Sequence, residues 1–363
     1  MRVLLASKAL VVGAHHDKLR ALGANADIEI LAAAPECWIE NGRVRKAERP
    51  EPDAYDIEHL RLGLNGHYHM YWFRSLERLM RRFRPDVVHI DEEPYNLATA
   101  IACRDSLRHG ARPVFFSWQN LFRRYPLPVR WIERYVLDRA YGIAGTQTAA
   151  QVLRRKGYRQ RIAVIPQFGV DPTVFVPDKH PRAKPRFTIG YAGRLVSEKG
   201  VDVLIQAVHL AKGKAELRVA GSGPDESRLR RMTAKSVEVN FLGSVASEEM
   251  PSFYRGLDVF VLPTIGRNGW TEQFGRAAVE AMACGIPTVV AKTGELPSVV
   301  GSGGELVQPG NAHELAEVLR RLRCDPLHRT FLAEAGRKRA LELFTTAAIA
   351  DATASFYRTI VSG

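Results

Sequence analysis

One pattern runs, stops and starts again along this chain, and it restricts the available folds more than any single motif. Apolar runs of strand length at 2–5, 27–33, 85–90, 112–118, 141–146 and 161–166 alternate with amphipathic stretches. In MYWFRSLERLMRRF (70–83), Leu76, Leu79, Met80 and Phe83 fall at i, i+3, i+4 and i+7, with Trp72 one turn earlier, which predicts a helix. Parallel strands need long crossovers, so strands separated by helices predict a parallel sheet. FGVDPTVFVPDKHPRAKPR (168–186) then interrupts the period with prolines and charges. Strand runs resume at 187–193, 215–221, 237–243, 257–263 and 286–291, with helical patterns at 200–212 and 314–323. The prediction is an α/β chain with two Rossmann-like, doubly wound parallel-sheet domains at 1–168 and 187–345. A linker at 169–186 joins them, and a C-terminal helix in 346–363 returns toward the first domain. Ligands of such sheets bind beyond the carboxyl ends of the strands, so a cleft between two facing domains is the expected binding place.

A length of 363 residues suits two domains, and 46% hydrophobic residues supply two cores. No apolar run reaches the ~18 residues that suggest a membrane span. MRVLLASKALVVGA has the look of a signal peptide, but Lys8 interrupts it and Val3–Leu5 read better as a buried first strand. Cys37, Cys103, Cys284 and Cys324 form no Cys-x-x-Cys pair and read as reduced thiols of a cytoplasmic protein. The net charge of +13 is spread over both halves. It fits a solvated basic surface, an anionic substrate or an anionic membrane. A nucleic-acid binder would cluster its bases around aromatic platforms, so the even spread disfavours that class.

Three stretches follow predicted strands and carry residues suited to anions. GRLVSEKG (193–200) opens a helix, with Ser197 as its expected N-cap. Gly193 ends the strand, and Arg194 and Lys199 would neutralise a diphosphate or else stand as surface bases. In TEQFGRAAVEAMACGIP (271–287), the helix formers begin at Arg276 and stop at Gly285. The amides of Phe274 and Gly275 lie at the positive end of that helix. Glu272 precedes the helix, and Glu280 sits among Val279, Ala281 and Met282, where a carboxylate needs a partner. Neighbouring sugar hydroxyls would serve, as would a salt bridge within the protein. AGSGP (220–224) is a tight turn whose Gly221 fits either close packing or a nucleotide. The loop at Gly13 lacks Gly-x-Gly-x-x-Gly, which argues against a dinucleotide dehydrogenase. No Asp-x-Asp occurs anywhere.

Taken in order, VIPQFGVDPTVF, YAGRLVSEKGVDVLI, VAGSGP, FLGSV, DVFVLPT, EQFGRAAVEAMACGIPTVVA and GGELVQPGN resemble the retaining GT-B glycosyltransferases of family 4. The resemblance spans essentially the whole chain and is strongest over 161–312. It implies a GT-B architecture and transfer of a hexosyl group from a UDP- or GDP-linked sugar with retention, without cofactor or metal. It also implies a catalytic set of Arg194, Lys199 and Glu272. The basic pair would grip the donor diphosphate, Glu272 would lie at the sugar, and Glu280 would hold the ribose hydroxyls. The amides at Phe274 and Gly275 would meet sugar and phosphate, with Gly193 and Gly221 completing the donor loops. Gly13 would belong to the loop closing over the diphosphate, and Leu242 would lie by the base.

Two positions depart from the family. Trp118, Gln119 and Asn120 stand where a histidine is common, and Ser298 replaces a common glutamate. The acceptor is expected on the first domain, at Lys18, His69, Glu92, Glu93, Asn96, Gln119 and Asn120. It would be a hydroxyl of a glycan, a lipid-linked sugar or a small molecule. The DEEPYN run (91–96) also reads as a loop of solvated acids. NLFRRYPLPVRWIERY (120–135) reads as an ordinary amphipathic helix or as a peripheral contact with an anionic inner membrane face. A nucleotide-sugar epimerase of the same fold is the nearest other enzyme.

Overall fold

A computed structural model describes residues 1–40, 42–48, 55–178, 186–233, 238–266 and 270–363. These residues form two compact units: Met1–Gly169 together with Thr346–Gly363, and Val170–Thr345.

The first unit carries seven parallel strands: β1 (Arg2–Ala6), β2 (Glu29–Pro35), β3 (Asp56–Leu60), β4 (Val87–Ile90), β5 (Arg112–Ser117), β6 (Tyr141–Ala144) and β7 (Ile162–Val164). Their order is β7-β6-β5-β4-β1-β2-β3, so the sheet winds outward in both directions from β1 and β4. Side chains alternate across a strand, and both faces are covered. Val3 and Leu5 enter one cluster while Leu4 and Ala6 enter the other. Helices α1 (Asp17–Gly23), α2 (Leu76–Phe83), α3 (Leu97–Arg108), α4 (Leu127–Arg139) and α5 (Gln147–Arg155) flank the sheet.

The second unit carries β8 (Phe187–Ala192), β9 (Ala215–Ala220), β10 (Glu238–Gly243), β11 (Val259–Leu262), β12 (Thr288–Ala291) and β13 (Gly304–Val307), ordered β10-β9-β8-β11-β12-β13 and again parallel. Its helices are α6 (Val201–Ala211), α7 (Glu226–Met232), α8 (Met250–Arg255), α9 (Arg276–Ala283), α10 (Leu296–Val300), α11 (Ala312–Cys324) and α12 (Pro326–Leu343). Val201, Leu204, Ile205 and Val208 form the buried stripe of α6, as their spacing predicts. Asn311 caps α11 by accepting from the Glu314 N–H at 3.1 Å.

The last helix, α13 (Thr346–Val361), belongs to the first unit. It buries Ile349, Ala350, Phe356, Tyr357 and Ile360 in the cluster that holds Val3, Leu5, Leu19 and Leu22. Each of its large apolar side chains contributes about 1.5–3 kcal/mol by burial. No helix among the described residues is long and apolar enough to cross a membrane.

Some expectations differ from what is observed. The helix expected over 70–83 starts only at Leu76. Trp72–Phe73 pair antiparallel with Leu62–Gly63, and Ser75 is left-handed at φ 64°, which breaks the helical path before Leu76. Ser197 does not cap α6. Ser197–Lys199 form a separate 3-10 turn, and left-handed Gly200 precedes the helix. The stretch 169–186 is not uniformly a linker. Val170 donates to Phe344 O at 2.8 Å and Phe175 is buried in the second unit's core, whereas 179–185 lie outside the described residues.

Candidate functional site

The second unit brings most of the donor candidates to the carboxyl ends of its strands. After β8 the chain turns through Gly193 and Arg194, and after β9 through Gly221 and Ser222. Gly193 N–H donates to Ala220 O at 2.9 Å, and Gly221 N–H to Gly243 O at 2.7 Å. Gly221 has φ +142°, and a Cβ there would collide with Gly193 O, so close packing of two backbones requires this glycine. The loops border a cavity of about 520 Å³ lined by Arg194, Ser222, Ser244, Tyr254, Arg276 and Glu280, among others.

Glu280 lies on α9 with its carboxylate at that cavity and only 8% exposed. Arg276 Nε donates to Oε1 at 2.8 Å, and the Tyr254 hydroxyl, from α8, donates to Oε2 at 2.8 Å. The buried charge is therefore met inside the protein. A carboxylate offers about four acceptor positions, so two remain for a ligand. Arg194 is exposed at the same cavity, and among the described residues no carboxylate pairs with it.

Glu272 and Lys199 meet each other. Lys199 Nζ donates to Glu272 Oε2 at 2.5 Å, and the Thr264 hydroxyl reaches the same oxygen at 3.4 Å. The ammonium also lies 4.8 Å from the centre of the Trp270 ring. Lys199 is thus bound to Glu272, whereas Arg194 has no carboxylate partner among the described residues. Gly275 is left-handed at φ +82°, and a Cβ there would strike Leu296 Cδ2. Packing demands this glycine irrespective of any ligand. Phe274 packs edge-on against Phe344 at 5.5 Å. Its position and that of Gly275 leave the first turn of α9 beside Glu272.

Leu242 is not at this cavity. It is 48% exposed and lines a separate surface depression with Arg230 and Phe253. Left-handed Gly243 at φ +69° turns the chain, so Ser244 and Val245 reach the cavity instead. Sequence spacing did not reveal Tyr254 or Thr264. Arg276, one helical turn before Glu280, was legible from spacing alone.

The remaining candidates lie in the first unit. Gly13 N–H donates to Glu48 Oε2 at 2.7 Å. One cluster joins Lys8, Glu92, Asn96 and His69. Lys8 Nζ donates to Glu92 Oε2 at 2.5 Å, Asn96 Nδ2 to the same oxygen at 3.2 Å, and His69 Nδ1 lies 3.0 Å from Asn96 Oδ1. These acids are buried and bonded, not a loop of solvated charges. Glu93 accepts from Ser117 Oγ at 2.7 Å and from the Trp118 N–H at 2.8 Å, and burial pushes its carboxyl up to about 7. Gln119 bridges Tyr125 and Lys156, at 3.1 and 2.7 Å.

A second cluster contains Lys18, His89 and Asp91. Lys18 Nζ, His89 Nε2 and Asp91 Oδ1 are buried without a hydrogen-bond partner among the described residues, as is Asn120 Nδ2. Desolvation lowers the Lys18 ammonium below its ordinary range, partly offset by Asp91. Burial, then Lys18, holds His89 down at about 3. His89 Nδ1 is 2.5 Å from the Tyr357 hydroxyl of α13, and Gln167 Nε2 donates to Asp91 Oδ2 at 2.7 Å.

Known proteins bear on this geometry. The family described as glycosyl transferases group 1 matches residues 175–339, and glycosyltransferase family 4 matches 40–174. The chain is 30% identical over 307 residues to 2-deoxystreptamine glucosyltransferase of Streptomyces kanamyceticus, covering 76% of this chain and 78% of that one. The chain belongs to the family 4 glycosyltransferases. This glycosyltransferase is also 37% identical over 151 residues to a GDP-mannose-dependent monoacylated alpha-(1-6)-phosphatidylinositol monomannoside mannosyltransferase of Corynebacterium glutamicum. That match covers 40% of each chain. In fold it is similar to Anabaena Alr3699/HepE, solved in complex with UDP, with a TM-score of 0.71 at 18% identity over 100% of both chains. Two Rossmann-like parallel sheets of this kind make up the GT-B fold.

Proposed function

We propose that this glycosyltransferase moves a hexosyl group from a UDP- or GDP-linked sugar to a hydroxyl acceptor, with retention and without a metal ion. The observation that carries the proposal is the pairing of groups at one cavity of the second unit. Glu280 keeps acceptor positions for ribose hydroxyls, and Arg194, without a carboxylate partner among the described residues, offers its guanidinium to a diphosphate. The mannosyltransferase relative, named GDP-mannose-dependent, and the UDP complex of the Anabaena protein support a nucleotide donor.

Departure of the diphosphate builds negative charge on its oxygens while the sugar becomes oxocarbenium-like. Arg194, Lys199 and the amides at the start of α9 stabilise the departing charge. Glu272 keeps Lys199 aimed and restrains its ammonium. The C1–O bond breaks with its electron pair going to the diphosphate, and the acceptor oxygen bonds to C1 on the same face. The acceptor proton passes to the departing phosphate oxygen. With no Asp-x-Asp in the chain, protein cations take the place of a divalent metal. The acceptor hydroxyl is assigned to the first unit, at the Glu92, Asn96 and His69 cluster.

The test is a binding screen of the full chain with UDP, GDP and ADP, by calorimetry, on wild type and Glu280→Ala. Binding of UDP or GDP that weakens at least tenfold in the variant is expected. Failure of all three nucleotides to bind, or equal binding by the variant, overturns the proposal.

A further inference from the structure

Within the first unit, the N-terminal half of α4 and the loop before it form a basic, aromatic hollow of about 720 Å³. Its lining includes Arg123, Arg124, Arg130, Arg134, Arg155 and Lys156, against the single acid Glu133. That acid is already taken, since Lys156 Nζ donates to it at 2.5 Å. Arg134 is occupied by Asp138 at 2.9 Å. Among the described residues, Arg123, Arg124 and Arg130 have no carboxylate partner, and all three are exposed.

Large apolar side chains lie among these bases. Trp131 is 68% exposed and Leu127 59%, one helical turn apart on α4, and Phe122 is 38% exposed beneath the Arg155 guanidinium at 5.0 Å. On the opposite side of α4 Val136 is buried, so the helix is held by the protein while Leu127 and Trp131 form a second apolar stripe outward. An ordinary amphipathic helix has one such stripe.

We propose that this face docks on the surface of an anionic lipid bilayer. Arg123, Arg124 and Arg130 would meet headgroup phosphates, and Leu127 and Trp131 would enter the boundary of the acyl region. The chemistry favours a bilayer over a polyanion or a soluble anion. Phosphates alone satisfy arginines but give Leu127 nothing, because an aliphatic side chain has no ring to stack on a base. An interfacial helix uses both faces of this composition: bases around the headgroups and Trp or Leu below them. The hollow also adjoins the acceptor candidates. Tyr125, on its wall, packs at a tilt against Tyr95, with ring centres 4.5 Å apart, and accepts from Gln119. Docking would thus hold that region next to lipid-borne molecules. The proposal is independent of the donor reading, since it concerns residues outside the second unit.

The full chain is sedimented with phosphatidylcholine vesicles, with and without roughly one-third phosphatidylglycerol. Partition to the anionic vesicles alone is expected, weakening as salt rises. The combined Arg123→Gln, Arg124→Gln and Arg130→Gln variant should partition roughly 100-fold more weakly, each arginine near an anionic surface counting about fivefold. Trp131→Phe should abolish the vesicle-induced blue shift of tryptophan emission. An unchanged thermal midpoint and unchanged nucleotide binding confirm that the variants are folded. Equal partition to neutral vesicles, or wild-type partition of the triple variant, overturns the proposal. So does displacement from vesicles by millimolar inorganic phosphate, which would assign the arginines to a small anion.

Discussion

Two lysines that follow the first strand of their units are treated in opposite ways. Lys18 lies within α1, the first α-helix after β1, and Lys199 in the 3-10 turn between β8 and α6. Lys199 is paired with Glu272 at 2.5 Å, with Trp270 beside it. Lys18 is fully enclosed, and its ammonium bonds to nothing among the described residues. The neighbours follow suit. Glu280 is met by Arg276 and Tyr254, while Asp91 Oδ1 and His89 Nε2, 3.9 Å apart, are buried with no hydrogen-bond partner among the described residues. The second unit therefore meets the charges of Glu272 and Glu280 within itself, and leaves the exposed Arg194 guanidinium for a ligand that only adds bonds. The first unit stores desolvation cost in groups that lack a partner, and stored cost of that kind is typical of sites that trade stability for function. Under the proposed function, the contrast would correspond to a preformed donor site in the second unit and an acceptor site in the first whose polar groups are completed on binding.

The contrast is most exposed at the lysines themselves. Lys199→Ala should lower turnover by about 10²–10³-fold, the loss that follows removal of one preorganised charge at a leaving group. It should also destabilise the chain by about 3 kcal/mol, because Glu272 is left buried without its counter-ion, with only the Thr264 hydroxyl beside it. Steady-state kinetics and thermal melts check both, and turnover near wild type would remove Lys199 from the catalytic set.

Glu93 tests the first unit through pH. Its folded carboxyl is raised by burial from 4.5 to about 7, so the fold favours the protonated form. The resulting stability is fully present below pH 4.5 and is lost as pH rises through about 7. The full difference is on the order of 3 kcal/mol. Glu93→Gln should flatten the unfolding free energy over that window, and a wild-type profile already flat there would refute the shift.

Lys18→Met should act in the opposite direction to Lys199→Ala. Removing an unpartnered buried charge while keeping its volume should raise stability, by about 1–3 kcal/mol. A gain in melting temperature together with a loss of transfer would place Lys18 in the acceptor machinery, and a loss of stability would mean that Lys18 has a partner after all. The smallest expected effect is that of chelation: excess EDTA should leave transfer rates unchanged. Strict dependence on a divalent ion would show that Arg194 and Lys199 do not carry the leaving-group charge.

Much of the fold was legible in the sequence, and the exceptions have a common cause. Central strands such as β8 and β11 are buried on both faces, so they read as unbroken apolar runs. β3 at one sheet edge, with the sequence DIEHL, and β13 at another, which opens with a glycine, were not read as strands. Edge strands are covered on fewer sides and need less apolar sequence. The false start of the helix at 70 arose because Trp72 fits the helical spacing of Leu76, Leu79, Met80 and Phe83, yet Trp72 pairs with Gly63 in a short antiparallel ladder. The site shows the same division. Glu272 and Glu280 stood out because one precedes a helix and the other lies in its apolar interior. That Glu272 belongs to Lys199, 73 residues away, is a contact that no local spacing encodes.

The sequence by itself determined the two-fold repetition of strand and helix, the positions of Arg194, Lys199 and Glu272 in loops that follow strands and of Glu280 inside a helix, and the family. Each of these depends on local period and residue type, which act within a few turns of chain. Only the tertiary structure decided which charges are paired. It joined Lys199 to Glu272 and Tyr254 to Glu280, moved Leu242 away from the cavity, and enclosed Lys18 with His89 and Asp91. The physical reason is that the energy of a charge is set by burial and by neighbours within a few ångströms. Those neighbours arrive from strands and helices that are distant in sequence.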